Sequence, residues 1–381
     1  MELALYCPVY GYYEAQKETI GRRGDYYTSV SVGSLFGELL ASQFAHWLDE
    51  DRPQLVEAGA HTGYLARDVL WWFREHRPDL FERLEYWIIE PSTRRRRWQE
   101  DTLAAFAGRV RWASEIGGVG PPSAFGDRGR IRGVIFCNEL LDSFPVRRFG
   151  WDAQERTTFE WGVRLEGAEF AWAKMPDSDC SSSAPTLGQS PAVAGARSDE
   201  AQQDPCAPEV PADVLAVLPA DYTLEICPKA VAWWRQAARA LSRGRLLTFD
   251  YGFSVMERLT PERLRGTCRA YYKHRLTNNL LANPGEQDLT AHVDFDVIQA
   301  VGEEAGLKTE TFESQAQFLT RIASRIWSGE TSFGQWTPAK TRQFQTLTHP
   351  NHLGAAFRVL VQQTASIKTA DIDAWAGGTS E

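Results

Sequence analysis

A chain of 381 residues is long enough for two domains, or for one large domain carrying insertions. Its 43% hydrophobic and 24% charged residues are ordinary for a soluble globular protein. A formal charge of −9 excludes a general nucleic-acid binder, because neutralising phosphates takes excess Lys and Arg. The six cysteines (7, 137, 180, 206, 227 and 268) form no Cys-x-x-Cys pair and no zinc-spaced cluster with histidine. No metal is therefore expected, and the simplest reading is a reduced, cytoplasmic protein. The opening MELALYCPVYGYY lacks the charged and apolar regions of a secretory signal, and no apolar run nears the ~20 residues of a membrane span.

In chain order, GRRGDYYTS (21–29) precedes an apolar helix pattern with Phe36, Leu40, Phe44 and Trp47 on one side. LVEAGA (55–60) reads as a strand ending in glycine, and Leu65, Val69, Trp72 and Phe73 then recur at helical spacing. YWIIEPS (86–92) is a continuous β-branched and aromatic run, as in a strand buried on both faces. A charged helix over about 94–107 follows, and its run Arg94 to Arg97 reads as a solvated face. RVRWAS (109–114) and GVIFCNELLD (133–142) are the next strands. Residues 147–174 alternate aromatic and polar residues around Gly turns, the pattern of an inserted β-hairpin or small meander. Residues 176–212, rich in Ser, Pro, Ala, Asp and Gln, read as a flexible loop. Val231, Trp234, Ala238 and Leu241 mark a helix that Gly244 can close, and RLLTFDYG (245–252) is another buried strand. Apolar strands alternating with helices predict an α/β fold, a mostly parallel sheet with helices on both faces.

The chemistry gathers at strand ends. Glu57, Gly59 and Gly63 lie where the first strand meets a helix, so backbone N–H groups and a helix N-terminus can approach a ligand. Glu90, at the tip of the second strand, is placed to accept hydrogen bonds from ribose hydroxyls. The loop reads E-x-G-x-x-x-G, with Ala60, His61 and Thr62 between the glycines, rather than the G-x-G-x-x-G of a dinucleotide fold. An acid at Glu57 suits the amino group of an amino-acid moiety better than a pyrophosphate, which points to S-adenosylmethionine. A glycine turn serving only close helix–strand packing is the plainer alternative.

Seven stretches occur in order: IGRRGDYYTS, FGELLASQF, VEAGAHTG, IIEPS, CNELLDSFPVRRF, FDYG and NPGEQDLTAHVDF. Together they resemble the MidA-type S-adenosylmethionine-dependent methyltransferases, from about Gly11 to Phe318. The resemblance implies a class I methyltransferase, Rossmann-like fold with a seven-stranded sheet, an N-terminal cap and family insertions. It also implies methyl transfer to a protein arginine, with a respiratory complex I subunit as one possible protein substrate. On that basis the chain divides into a cap (1–50), the cofactor-binding domain (51–146), an inserted hairpin (147–175), a flexible loop (176–212), the domain continued (213–253), a substrate-region insertion (254–290) and the end of the sheet with a tail (291–381). This sequence departs from the family pattern with His61 at the usual middle glycine, with Val30 and Ser31 for Pro and Glu, and with Leu-Leu-Asp-Ser inside NELLDSFP.

The resemblance makes Gly21–Ser29 a lid across the cofactor, with Thr28 and Ser29 at the crevice mouth; Ser31 or Ser34 capping the next helix is the compatible plain reading. Expected cofactor contacts are Thr28, Ser29, Glu57, Gly59, His61, Gly63, Glu90, Asn138, and Trp112 and Ala113 beside the adenine. A guanidinium acceptor calls for carboxylates that clamp it, so Glu139 is the leading catalytic candidate with Asp142 as its partner. Asp142 reads equally as a helix N-cap or an Arg147/Arg148 ion-pair partner. His292 is a candidate proton shuttle or a structural histidine, Asp294 a helix N-cap, and Glu225, Asp250 and Tyr251 are weaker candidates. Competing functions are an NAD-type oxidoreductase, a small-molecule methyltransferase, and an assembly factor that binds S-adenosylmethionine without catalysis. The pairs Trp71–Trp72 and Trp233–Trp234, read as exposed, leave a homodimer open.

Overall fold

The computed structural model describes residues 1–15, 28–48, 51–120, 131–175, 219, 221–254, 257, 260, 263–272, 275–277, 279–330 and 332–365. The proposed lid residues Gly21–Tyr27 and the loop at 176–212 lie outside them. Strands β1 (Gln54–Ala58), β2 (Glu85–Ile89), β3 (Val110–Ala113) and β4 (Ile131–Asn138) form the first half of the main sheet. Strands β5 (Arg147–Asp152), β6 (Thr157–Glu166), β7 (Glu169–Lys174) and β8 (Thr223–Ile226) make a separate antiparallel sheet in the order β7-β6-β5-β8. Then come β9 (Leu241–Phe253), the small-sheet strands β10 (Arg269–Tyr272), β11 (Arg275–Thr277) and β12 (Asp288–Thr290), and β13 (Val293–Asp294), β14 (Leu307–Ser314) and β15 (Phe357–Thr364).

The main sheet runs β14-β15-β9-β4-β1-β2-β3, with the short β13 paired to β9. Neighbours from β9 to β3 are parallel, and β15 alone runs antiparallel between β9 and β14. Helices Leu35–Trp47 and Tyr64–His76 cover one face, and helices Pro228–Ala240 and Phe295–Glu304 the other. The apolar stripe Leu65, Val69, Trp72 and Phe73 is buried, as its spacing predicts. Phe44 meets Phe136 at 4.9 Å, and Phe249 sits edge-on to Phe36 at 5.2 Å, pinning the first long helix to β4 and β9. Each such fully buried Phe contributes roughly 1.5–3 kcal/mol relative to exposure.

Order fixes the crevice. The chain leaves β1 toward β2 and β3 on one side, then returns to β4 and β9 on the other. The carboxyl ends of β1 and β4 therefore flank the switch point where open α/β sheets bind ligands.

Four local expectations are corrected. Helix Pro228–Ala240 ends before Leu241, which already begins β9. Gly244 lies inside that strand because a Cβ there would sit 1.8 Å from the Gly133 carbonyl, so it serves close strand approach rather than helix closure. Strand β8, with Glu225, belongs to the inserted sheet and not to the main one. Of the tryptophan pairs, Trp72 and Trp234 are buried; adjacent helical residues point 100° apart, so only one of each can face solvent.

Candidate functional site

A cavity of about 2240 Å³ opens at this switch point. Its cofactor side is built by β1 and the loop after it. Glu57 is 2% exposed and accepts a 2.6 Å hydrogen bond from the Tyr86 hydroxyl, while burial pushes its pKa up to about 7. Gly59 (φ 74°) and Gly63 (φ 84°) adopt left-handed backbone that favours glycine. A Cβ on Gly59 would meet Leu140 Cδ1 at 2.9 Å, so bare backbone keeps this part of the cradle open. His61 takes φ 46° despite its side chain, and its ring tilts toward Trp98 at 6.4 Å. Burial, with Arg95 nearby, lowers its pKa to about 4, so the imidazole is neutral. Glu57, Ala58, Gly59 and His61 line the cavity; Gly63, expected beside the cofactor, does not, and starts the helix Tyr64–His76 packed against Gln99 and Leu103 instead.

Glu90 follows β2 and is nearly fully buried. Its Oε1 accepts from the Ser92 amide (2.9 Å) and from Arg95 (Nε 3.0 Å, second guanidinium nitrogen 2.9 Å). Its Oε2 accepts from Gln99 Nε2 at 3.2 Å. Arg95 also pairs with Glu14 at 3.3 Å, Arg96 Nε donates to the Glu90 carbonyl at 2.7 Å, and Arg94 donates to the Glu14 carbonyl. The arginine run is thus not simply a solvated face: Arg95 clamps the Glu90 carboxylate, turned inward by the helix Thr93–Thr102, while Arg97 stays exposed.

The opposite side is acidic. Glu139 follows β4 at φ 52°, its Oε1 accepting from Asn138 Nδ2 (2.9 Å) and from the Ser29 amide (3.3 Å). Burial, then the charge of Asp142, pushes the Glu139 pKa up to about 8. Asp142 is buried and hydrogen-bonds Asp250; burial, Asp250 and Asp288 all raise it well above the usual carboxylate range. Two carboxylates this close repel, so the pair favours sharing one proton over losing both. Asp250, raised by burial to about 8, accepts the Leu141 and Tyr251 amides, each at 2.9 Å. Asp142 is therefore neither the helix cap nor the Arg147/Arg148 partner: those arginines pair with Glu160 and Glu225. Asp288 on β12 accepts the Tyr13 hydroxyl at 2.7 Å, bringing the N-terminal segment to the same wall.

Other expected residues are placed as follows. Thr28 lines the cavity, but Ser29 does not: its hydroxyl donates to the buried Gln315 at 2.9 Å. Trp112 and Ala113 are corrected, because neither is among the lining residues. The Trp112 indole donates to Gln99 at 2.8 Å and Ala113 packs in the core, while Ser114, Glu115 and Ile116 face the cavity instead. His292 lines the cavity with its ring near Tyr251, and burial with Arg263 and Arg269 lowers its pKa to about 4. At neutral pH it is an uncharged acceptor, not a shuttle that ionises in the working range. Asp294 caps its helix by accepting the Val297 amide, as expected. Ser34 sits at the helix start, but its hydroxyl donates to Glu38, and the Leu35 amide is met by Gln343. Sequence reasoning missed Arg95, Gln99, Tyr13 and Asp288. Of these, Arg95 and Gln99 carried a signal, being four apart on one helix beside Glu90.

Comparison with known proteins decides the family. The family model described as S-adenosyl-L-methionine-dependent methyltransferase matches residues 36–313. The chain belongs to this family. A Burkholderia thailandensis protein solved with S-adenosyl-homocysteine is 30% identical with a TM-score of 0.73, over 95% of this chain and 86% of that one. The protein arginine methyltransferase NDUFAF7, mitochondrial, is 26% identical in Rattus norvegicus and 27% in Homo sapiens, over 80% of this chain. The methyltransferase chain spans 65% of the length of the rat relative and 64% of the human one. The family's cofactor is S-adenosylmethionine, and the glycine cradle, inward carboxylates and helix N-terminus fit it. The cytoplasmic expectation is corrected: these relatives are mitochondrial by name. Scattered cysteines speak to a reducing environment, which does not single out the cytoplasm. Among the described residues no helix is long and apolar enough to cross a membrane.

Proposed function

We propose that this methyltransferase transfers a methyl group from S-adenosylmethionine to an arginine side chain of a protein substrate. The observation that carries the reading is the acidic wall opposite the glycine cradle, where Glu139, Asp142 and Asp288 line one cavity with it. A buried carboxylate cluster is costly without a cation, and a guanidinium offers planar donors that match it. The arginine methyltransferase name of the relatives supports the same acceptor. Bound S-adenosylmethionine supplies a methyl on positively charged sulfur.

In this reading Glu57 meets the amino group and Glu90 the ribose hydroxyls. Glu139 accepts hydrogen bonds from the guanidinium and turns one nitrogen toward the cofactor side. As that nitrogen takes the methyl it must release a proton, and Glu139, with a pKa raised to about 8, is placed to receive it once it has itself been deprotonated. The proton held by Asp142 and Asp250 limits repulsion between the acids until the cation arrives. The test is a lysate incubated with the protein and tritiated-methyl S-adenosylmethionine, followed by acid hydrolysis. Label in methylarginine, lost with Glu139→Ala, supports the reading; label confined to other amino acids or small molecules overturns it.

A further inference from the structure

The cofactor loop carries a side chain where bare backbone would be easiest. His61 holds φ 46°, a conformation that glycine adopts freely and residues with a Cβ resist. One buried carboxamide reaches it. Gln99 Nε2 donates to the His61 carbonyl at 3.0 Å and to Glu90 Oε2 at 3.2 Å, and Gln99 Oε1 accepts from Trp112 Nε1 at 2.8 Å.

An indole N–H can only donate, so it fixes which end of the amide faces Trp112 and leaves both N–H groups for His61 and Glu90. Gln99 is 0% exposed and is not a cavity-lining residue. It therefore acts through the two groups it holds, one on the cradle after β1 and one at the tip of β2.

We propose that Gln99 is a positioning residue for the cofactor, holding the His61 carbonyl and the Glu90 carboxylate together and so compensating for the side chain at position 61. The inference rests on the S-adenosylmethionine reading of the cavity. Without the amide, His61 loses the Gln99 bond that ties its carbonyl to the helix Thr93–Thr102, and its backbone relaxes toward negative φ. Glycine at that position pays little for positive φ, so it depends on the bond less.

Calorimetric titration with S-adenosyl-homocysteine at pH 7.5 tests this on the full chain, for wild type, Gln99→Met, Gln99→Glu, His61→Gly and the double variant Gln99→Met/His61→Gly. Unliganded thermal midpoints are recorded for each. Losing two hydrogen bonds, one to a charged group, predicts that Gln99→Met raises Kd about thirtyfold. The same change in the His61→Gly background raises it only about fivefold, a coupling that simple core filling does not produce. Gln99→Glu keeps the shape and the Trp112 bond but loses both donors, so it binds at least about tenfold more weakly than wild type. Equal losses from Gln99→Met in both backgrounds overturn the inference, as does wild-type affinity in Gln99→Glu. Should Gln99→Met fail to fold, the isosteric Gln99→Glu alone decides between these outcomes. A wild-type protein that fails to bind overturns the cofactor reading itself, and the inference with it.

Discussion

Changing Glu139 to glutamine replaces one carboxylate oxygen by an amide and leaves the volume almost unchanged. Asn138 and the Ser29 amide both donate to Oε1, so the side chain keeps its anchor if the amide oxygen occupies that position. The NH₂ group then faces the cavity, where a guanidinium also presents only donors. The variant loses a charge-assisted contact of about 1.5–3 kcal/mol and adds a donor–donor clash, so about 3 kcal/mol of transition-state binding disappears. Accordingly kcat/KM for an arginine peptide falls about a hundredfold or more. Affinity for S-adenosyl-homocysteine changes less than about threefold, since Glu57 and Glu90 carry that contact in this account. The pH profile gives a second readout. With its pKa raised to about 8, Glu139 of the free protein must lose a proton before it can receive one, so wild-type kcat/KM rises with pH through about 8. Glu139→Gln lacks that inflection. Activity within threefold of wild type, or an unchanged inflection, refutes the role given to this residue.

Unliganded stability is expected to fall as pH rises from about 4.5 to about 8. Glu57, Glu139 and Asp250 have folded pKa values raised to about 7, 8 and 8, so in that window the folded chain keeps protons that the unfolded chain has released. Urea midpoints at pH 5.5 and 8.5 check the sign, and a higher midpoint at 8.5 contradicts it. Tyr86→Phe removes the hydroxyl that donates to buried Glu57 and costs about 1–3 kcal/mol of unfolding free energy by urea titration; an unchanged value shows that the bond contributes nothing. Gly59→Ala meets both a left-handed φ and Leu140, which costs about 1–2 kcal/mol in the loop and lowers S-adenosyl-homocysteine affinity about tenfold with the far-ultraviolet spectrum unchanged. Wild-type affinity in that variant removes the close-approach argument.

The sequence carried the parallel core clearly because strands such as YWIIEPS are buried on both faces and leave an unbroken apolar run, realised as β2. It carried strand ends less well. GVIFCNELLD reads as one strand, yet β4 stops at Asn138 because Glu139 turns the backbone to φ 52°, and periodicity does not encode that turn. Leu241 continues a helical stripe by spacing but is claimed by β9, where pairing with β4 outweighs local preference. In the site, Glu57, Glu90 and Glu139 were legible because each ends a strand near the switch point. Arg95 carried only the weak signal of its helical spacing from Gln99 beside Glu90, and reading four consecutive arginines as a solvated face overrode it. Asp288 and Tyr13 are 275 positions apart, and only the folded chain brings them to one wall. Trp112 attracted a stacking role by its place at a strand end, but its indole N–H is committed to Gln99 on the far side of the cavity wall.

A crystal structure of this chain with S-adenosyl-homocysteine tests the central claim most directly. The account predicts the ligand along the carboxyl ends of β1 and β2, its ribose hydroxyls on Glu90, its amino group toward Glu57, and its sulfur turned to the side where Glu139 stands. A ligand bound away from the Gly59–Gly63 cradle, or a Glu90 carboxylate that still meets only Ser92, Arg95 and Gln99, contradicts it.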